Sequence, residues 1–273
     1  MAGEILYDQE QKIERGHIAV SCYKKLSLLI LVLALVLVPF GCKKINTMDK
    51  IAQKGQIIWG TNAEFAPFET REGGKVIGID AEIAQKIADK LGVELVVEDM
   101  DFDPLPAALK SGKIDFIGAG FTIEPDREKQ VLFTDTYFKA VQVIIVQDNN
   151  DTILGVVDLE GKKIGVQNAT TGDGVASDIE GADVIRFNSG IEAALDLKNG
   201  NIDAVIIDDL PAQMLVESQG GLKLLDEKPS EDEEYALAVR LGDTELQQVI
   251  NEVLKDMKAN GEIEALVNKY SIG

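Results

Sequence analysis

The chain has 273 residues, a formal net charge of −20, two cysteines and one histidine, and its length allows one large or two modest cores once an N-terminal segment is set aside. So acidic a chain repels phosphate backbones and anionic lipid, which argues against nucleic acid as a partner. Cys22, Cys42 and His17 all precede the folded body, so the body has no disulfide, no thiolate nucleophile, no serine–histidine triad and no cysteine or histidine metal site, and neither metal nor cofactor is expected.

Residues before Tyr23 form a polar, mixed-charge prefix, unusual ahead of a targeting signal, which points to a translation start nearer the basic segment, such as Val20. Tyr23-Lys24-Lys25 then leads into Leu26 to Phe40, apolar except for Ser27, and Gly41-Cys42-Lys43-Lys44 follows. A cationic flank and an apolar run shorter than the roughly 20 residues of a spanning helix describe a secretory signal. The body is expected outside the cytoplasm. A cysteine directly after the run resembles a bacterial lipoprotein signal, in which Cys42 becomes the acylated N-terminus and holds the chain on the membrane. Pro39 and Phe40 depart from the residues preferred there, and an uncleaved anchor is the alternative. Prefix and signal occupy 1–41 and a tether 42–50, with Thr47 to Gly55 read as polar and holding a helical turn.

Gln56-Ile57-Ile58-Trp59 is a short apolar strand emptying into the loop Gly60 to Glu69, which belongs at a strand's carboxyl end, where α/β proteins bind ligands. Ile83, Ile87 and Leu91 recur at helical spacing; Asp80 is expected to cap this helix and Gly92 to end it. A strand over 94–97 and a helix over 105–111 follow, and Leu109-Lys110-Ser111-Gly112-Lys113-Ile114-Asp115 runs into Phe116-Ile117. Glu124-Pro125-Asp126-Arg127 begins another helix, with proline in its first turn. Val141 to Val146 is a continuous apolar strand, read as the crossing into a second lobe.

There the pattern restarts: a strand over 163–166, the loop Gln167 to Asp173, a strand over 183–187, and a helix from Ser189 with Glu192 completing a capping box. That helix ends in Leu197-Lys198-Asn199-Gly200-Asn201-Ile202-Asp203, nearly the same word as 109–115, and Ala204 to Ile207 is again apolar. Each copy reads as a helix stopped by glycine and a step into a buried strand. The residues five past each repeat aspartate, Gly120 and Asp208, therefore arrive at a cleft between similar lobes. After the charged, exposed run Pro229 to Glu234, a strand over 235–239 returns to the first lobe, and amphipathic helices over 244–260 and 263–270 close the chain. The expected fold class is α/β, with lobe 1 over 51–140 plus 237–273, lobe 2 over 141–236, and two crossing strands as the hinge.

Several words carry more than local structure: Asn62-Ala63-Glu64-Phe65-Ala66-Pro67-Phe68-Glu69, Gly78-Ile79-Asp80, Gly120-Phe121-Thr122-Ile123-Glu124-Pro125-Asp126-Arg127, Phe133-Thr134-Asp135-Thr136-Tyr137 and Asp203-Ala204-Val205-Ile206-Ile207-Asp208. Together and in this order, over 51–273, they resemble the extracytoplasmic solute-binding proteins, family 3, of ABC transporters for polar amino acids. The resemblance implies a two-lobed periplasmic-binding-protein-like (type II) fold that captures a free amino acid by hinge closure and delivers it to the membrane subunits of a permease, with no catalysis. A sensor module on a receptor and a dehydratase-like enzyme using Glu64 or Glu124 are the rival functions.

An amino-acid carboxylate needs a planar bidentate donor, which Arg127 supplies at a helix start. The ammonium needs acceptors: Asp208 offers one, and the resemblance adds the carbonyl of Gly120 and the hydroxyl of Thr122. For Arg127 the alternative is a surface ion pair, and for Asp208 a helix cap. Phe65 and Phe102 match family positions whose rings enclose the ligand side chain, whereas Phe68 reads as core. Gln167-Asn168-Ala169-Thr170-Thr171-Gly172 matches the loop whose amides complete the carboxylate site, with Thr170 and Thr171 as candidates and glycine common in relatives where Ala169 stands. Asn62 and Gln167 match positions that read the ligand side chain. Relatives that bind cationic side chains commonly have aspartate in place of Asn62, so a neutral polar ligand is expected over a cationic one.

Overall fold

The computed structural model describes residues 46–271; the prefix, the signal, Cys22 and Cys42 lie outside them. Helix α1 (Thr47–Lys54) opens the described chain, with Asn46 accepting from the Asp49 amide at 2.7 Å as its cap. Residues 47–50 are thus folded rather than a tether, because Thr47 and Ile51 are buried and the Thr47 hydroxyl donates to Asp243 at 2.7 Å.

Strands β1 (Gln56–Thr61), β5 (Glu94–Asp99) and β6 (Phe116–Ile117) pair in parallel, in the order β5-β1-β6. Between them the chain adds a small sheet of β2 (Glu64–Phe65), β3 (Glu69–Glu72) and β4 (Lys75–Ile77), then helix α2 (Ile79–Leu91), and later helix α3 (Leu105–Ser111). Helix α4 (Pro125–Glu128) precedes β7 (Val131–Gln147), a strand of 17 residues. In the second lobe β8 (Lys163–Gln167), β9 (Asp183–Phe187) and β10 (Ala204–Asp208) pair in parallel, with α5 (Thr171–Ser177), α6 (Gly190–Lys198) and α7 (Asp209–Gln219) among them. Strands β11 (Leu222–Leu224) and β12 (Asp232–Arg240) and helices α8 (Thr244–Ala259) and α9 (Glu262–Ser271) complete the chain.

The duplicated word maps onto duplicated places. Strand β6 lies between parallel β1 and antiparallel β12, and β10 lies between parallel β8 and antiparallel β7. In both sheets the strand after the glycine stop is the one next to a crossing strand. Strand β7 starts ten residues before the apolar run that announced it, because Val131 to Val141 pairs with β12 in the first sheet while Gln142 to Gln147 pairs with β10 and β11 in the second. The first-lobe core is closed by α2 lying on α8: Ile79, Ile83 and Ile87 are buried with Leu246, Ile250 and Leu254, and each such aliphatic side chain contributes about 1.5–3 kcal/mol by leaving water.

Two predicted caps differ. The cap of helix α2 is Gly78, whose φ of +130° side chains rarely adopt and where a Cβ would fall 2.2 Å from the Phe68 carbonyl oxygen. Asp80 therefore sits inside the first turn, buried, rather than at the cap. At α6, Ser189 does accept from the Glu192 amide at 3.3 Å, but the Glu192 carboxylate returns to the amide of Asn188, one residue early, so the box is half closed.

Candidate functional site

The carboxyl ends of β1, β6, β8 and β10 converge, and the residues just past them face one another. All ten residues singled out from the sequence, Asn62, Phe65, Phe102, Gly120, Thr122, Arg127, Gln167, Thr170, Thr171 and Asp208, line a single narrow cavity, joined by Ala119 and by Glu69, which no pattern in the sequence marks. A wider groove lined by Arg71, Lys75, Glu82 and Tyr270 lies on the outer side of the first lobe and contains none of them.

Gly120 is required at its place: its φ is +52°, and a Cβ would stand 2.6 Å from the Phe65 ring. Phe65 and Phe102 are both buried yet reach the cavity, so the distinction between core and cleft does not hold for them, while Phe68 is wholly core, edge-on to Phe138 and Tyr235.

Arg127 is 8 % exposed, far from the surface ion pair that was its alternative. One terminal nitrogen donates to the Thr122 carbonyl at 2.9 Å, the other to the Ala169 carbonyl at 3.0 Å, and Nε lies 2.9 Å from Glu124. With five N–H donors in a guanidinium, this leaves one on each terminal nitrogen, a fork suited to a carboxylate. The rings of Phe121 and Phe102 flank the guanidinium at 4.5 and 5.3 Å. Burial lowers its pKa, opposed by the nearby carboxylates of Glu124, Glu233 and Asp208. Ala169 holds a left-handed φ of +62°, the conformation that glycine adopts without strain, so the chain bears a cost of order 1 kcal/mol to present that carbonyl to the other lobe.

Asp208 ends β10 at the first position before α7 but makes no side-chain cap. It is 5 % exposed, its Oδ1 has no protein donor, and it lines the cavity. Burial, then the like charge of Glu233, pushes its pKa up to about 7, against the polar groups of Tyr235 and Gln142 beside it. Asn62 and Gln167 join across the cleft, the Gln167 amide nitrogen donating to Asn62 Oδ1 at 2.9 Å. Thr170 caps α5 by accepting from the Asp173 amide. The hydroxyls of Thr122 and Thr171 both turn to Glu233, at 2.9 and 2.8 Å. Glu233 belongs to the run read as exposed, but pairing within β12 brings it inward, and no local pattern announces that.

Two further acids lie beneath the site. Glu69, on β3, is fully buried with neither carboxylate oxygen meeting a protein donor, and burial, then Asp80, pushes its pKa well up. Asp80 is 1 % exposed and accepts from the Gly120 amide at 3.1 Å and the Tyr137 hydroxyl at 2.6 Å. Burial raises its pKa to about 6 despite those donors. Glu64 and Glu124, the acids of the enzymatic alternative, are not among the residues lining the cavity.

Three buried acids with raised pKa make stability pH-dependent. Each binds its proton more tightly folded than unfolded, so its contribution is complete below the ordinary carboxylate range. That contribution is lost as pH rises through about 6 for Asp80 and about 7 for Asp208. Ligand-free protein is therefore expected to be less stable at pH 8 than at pH 5 by about 2–4 kcal/mol, or roughly 5–10 °C in Tm. Thermal melts at matched ionic strength check this, and a higher Tm at pH 8 would contradict it.

A profile of the bacterial extracellular solute-binding proteins, family 3, matches residues 57–273. The chain is 33% identical over 255 residues to the arginine-binding extracellular protein ArtP of Bacillus subtilis, covering 92% of this chain and 99% of that one. Among solved structures it is similar to the P235GK mutant of ArgBP from T. maritima, at 40% identity and a TM-score of 0.78, over 82% of this chain and 98% of that one. It is likewise similar to the amino acid ABC transporter substrate-binding protein AbpA of Streptococcus pneumoniae bound to L-arginine, at 31% identity and a TM-score of 0.78, over 81% and 96%. With the profile spanning nearly every described residue and both structures sharing the two-lobed fold, the chain belongs to the bacterial extracellular solute-binding proteins, family 3.

Proposed function

We propose that this protein is the extracytoplasmic substrate-binding component of an amino-acid ABC importer and that its ligand is a cationic amino acid, arginine above all. One observation carries the choice of ligand: Glu69, fully buried, lines the cavity with no protein donor on either oxygen. Such a carboxyl is costly to ionise alone, and a guanidinium offers its ionised form a planar, charged fork. The expectation of a neutral ligand rested on Asn62 lacking a charge, and Glu69 supplies that charge from another strand. The relatives named for arginine or solved with it support the same reading.

In this reading Arg127 takes the ligand carboxylate together with the amides of the loop holding Thr170 and Thr171. Asp208, the Gly120 carbonyl and Thr122 take the ammonium, Phe65 and Phe102 enclose the side-chain stem, and Asn62 and Gln167 flank its end. Lobe 1 comprises 51–140 plus 237–273 and lobe 2 comprises 141–236, a division supported by the change of partner within β7 at residues 141–142. Because Arg127 and Asp208 come from different lobes, both poles of a zwitterion are compensated only when the lobes meet, so binding drives closure. The closed form is handed to the permease, with the chain held at the membrane through an acylated Cys42. A calorimetric screen of free amino acids tests the reading: arginine is expected to bind at least tenfold more tightly than glutamine, and tighter binding of a neutral amino acid would overturn it.

A further inference from the structure

Glu69 lines the cavity and Asp80 lies buried behind it. Glu69 on β3 and Asp80 on α2 lie side by side, the Asp80 amide donating to the carbonyl of Phe68, the residue before Glu69, at 2.9 Å, and each carboxyl shifts the pKa of the other. The other ionisable groups around them are Asp99 on β5 and Tyr137 on β7, both acidic. Arg71, on the same strand as Glu69, turns outward and is held by Asp99 at 2.6 Å. Across the cavity are Asp208 and Arg127, the latter already paired with Glu124. Each Asp80 oxygen accepts one hydrogen bond, from the Gly120 amide and from the Tyr137 hydroxyl, and keeps acceptor capacity for a proton on Glu69. Those donors favour an ionised Asp80, and a carboxylate beside Glu69 in a site closed to water favours a protonated Glu69.

We propose that Asp80 and Glu69 form a proton-for-cation exchanger: without ligand Glu69 holds a proton between the two carboxyls, and a cationic side chain entering the cavity displaces it to solvent. This rests on the cationic-ligand reading above. The exchange balances simply. The O–H bond of Glu69 breaks, the proton passes to water or buffer, and the guanidinium takes its place beside the carboxylate, so the net charge buried there is unchanged. Burying a second charge without this exchange would be opposed by its desolvation. Asp80 acts as a positioning residue: it touches no ligand, but it orients the Gly120 peptide at the ammonium site and sets the protonation of Glu69. One residue thus serves both ends of the ligand, and its second donor, Tyr137, lies on the crossing strand itself. Acidification would then favour release of a cationic ligand.

The test is calorimetry of L-arginine binding at pH 8 in buffers of different ionisation enthalpy, using the intact protein body. Burial and the neighbouring Asp80 push the Glu69 pKa well up, and comparison with Glu69→Gln identifies that residue as the source of the proton. The expected result is net proton release on arginine binding by the wild type, of up to about one proton per arginine. Near-zero release is expected from Glu69→Gln, measured at concentrations that saturate it. Asp80→Asn, nearly isosteric, removes the neighbouring negative charge, so its release at pH 8 falls and the whole pH profile of release moves to lower pH. A merely structural role for Asp80 would change affinity or Tm and leave that profile in place. Arginine binding with the same heat in every buffer overturns the exchange while sparing the ligand reading, as does wild-type release from Glu69→Gln. No arginine heat in any buffer removes the ligand reading, and the exchange with it.

Discussion

Arg127→Ala is expected to weaken amino-acid binding by at least ~10³-fold, the largest single loss in the site. Truncating one member of a buried, hydrogen-bonded charge pair costs about 2–5 kcal/mol or more, because the other charge stays behind unpaired. Here the loss is wider than one pair. The same guanidinium holds the carbonyls of Thr122 and Ala169, in different lobes, and is flanked by two rings. Removing it takes away the ligand's carboxylate partner and one tie that keeps the lobes together. Arg127→Lys preserves the charge without the fork and is expected to fall between the two. Titration calorimetry with arginine, alongside circular-dichroism melts to show that each variant is folded, checks both. Affinity within tenfold of wild type in a folded Arg127→Ala would remove this residue from the site.

Glu69→Gln is expected to invert selectivity rather than abolish binding. The substitution keeps size and hydrogen-bonding capacity but deletes the negative charge, so arginine should lose about 10²-fold, the lower end of the range for a buried charge pair. Citrulline, which has nearly the same shape with a neutral end, should bind as well as before or better. The ratio of the two affinities in wild type and variant is the measurement. An unchanged ratio would mean that Glu69 does not read the side chain.

What could be read in the sequence was periodic or repeated. The words at 109–115 and 197–203 disclosed β6 and β10 and, through them, Gly120 and Asp208 at the cavity, because a glycine stop followed by an apolar run is a local signal. What escaped was set by distant partners. Asp80 looked like a cap because acids near helix starts usually are, yet the close approach of Phe68 requires glycine at the cap and turns Asp80 toward Gly120, 40 residues away. Glu69 sits in the polar word Glu69-Thr70-Arg71-Glu72, where nothing separates the one buried acid from its exposed neighbour Glu72. Glu233 was hidden likewise inside a run of charges, and only the pairing of β12 with β7 carries it to Thr122 and Thr171. Charged residues betray burial through the company they keep in space, and local spacing does not record it.

Strand β7 belongs to both sheets without a break, and β12 runs beside it through the region where its partners change. The lobes are therefore joined by a two-stranded ribbon rather than by loose loops, and they separate by flexing and twisting that ribbon. Its pairing is irregular at Tyr235/Ala236 and Ala236/Ala238, which are the compliant points along it. Because Tyr137 and Tyr235, which lie beside Asp80 and Asp208, both stand on the ribbon, these two acids rest against the spring itself. Opening the clamshell accordingly deforms the surroundings of both acids in one stroke, and a single elastic coordinate links the gape of the lobes to the affinity between them.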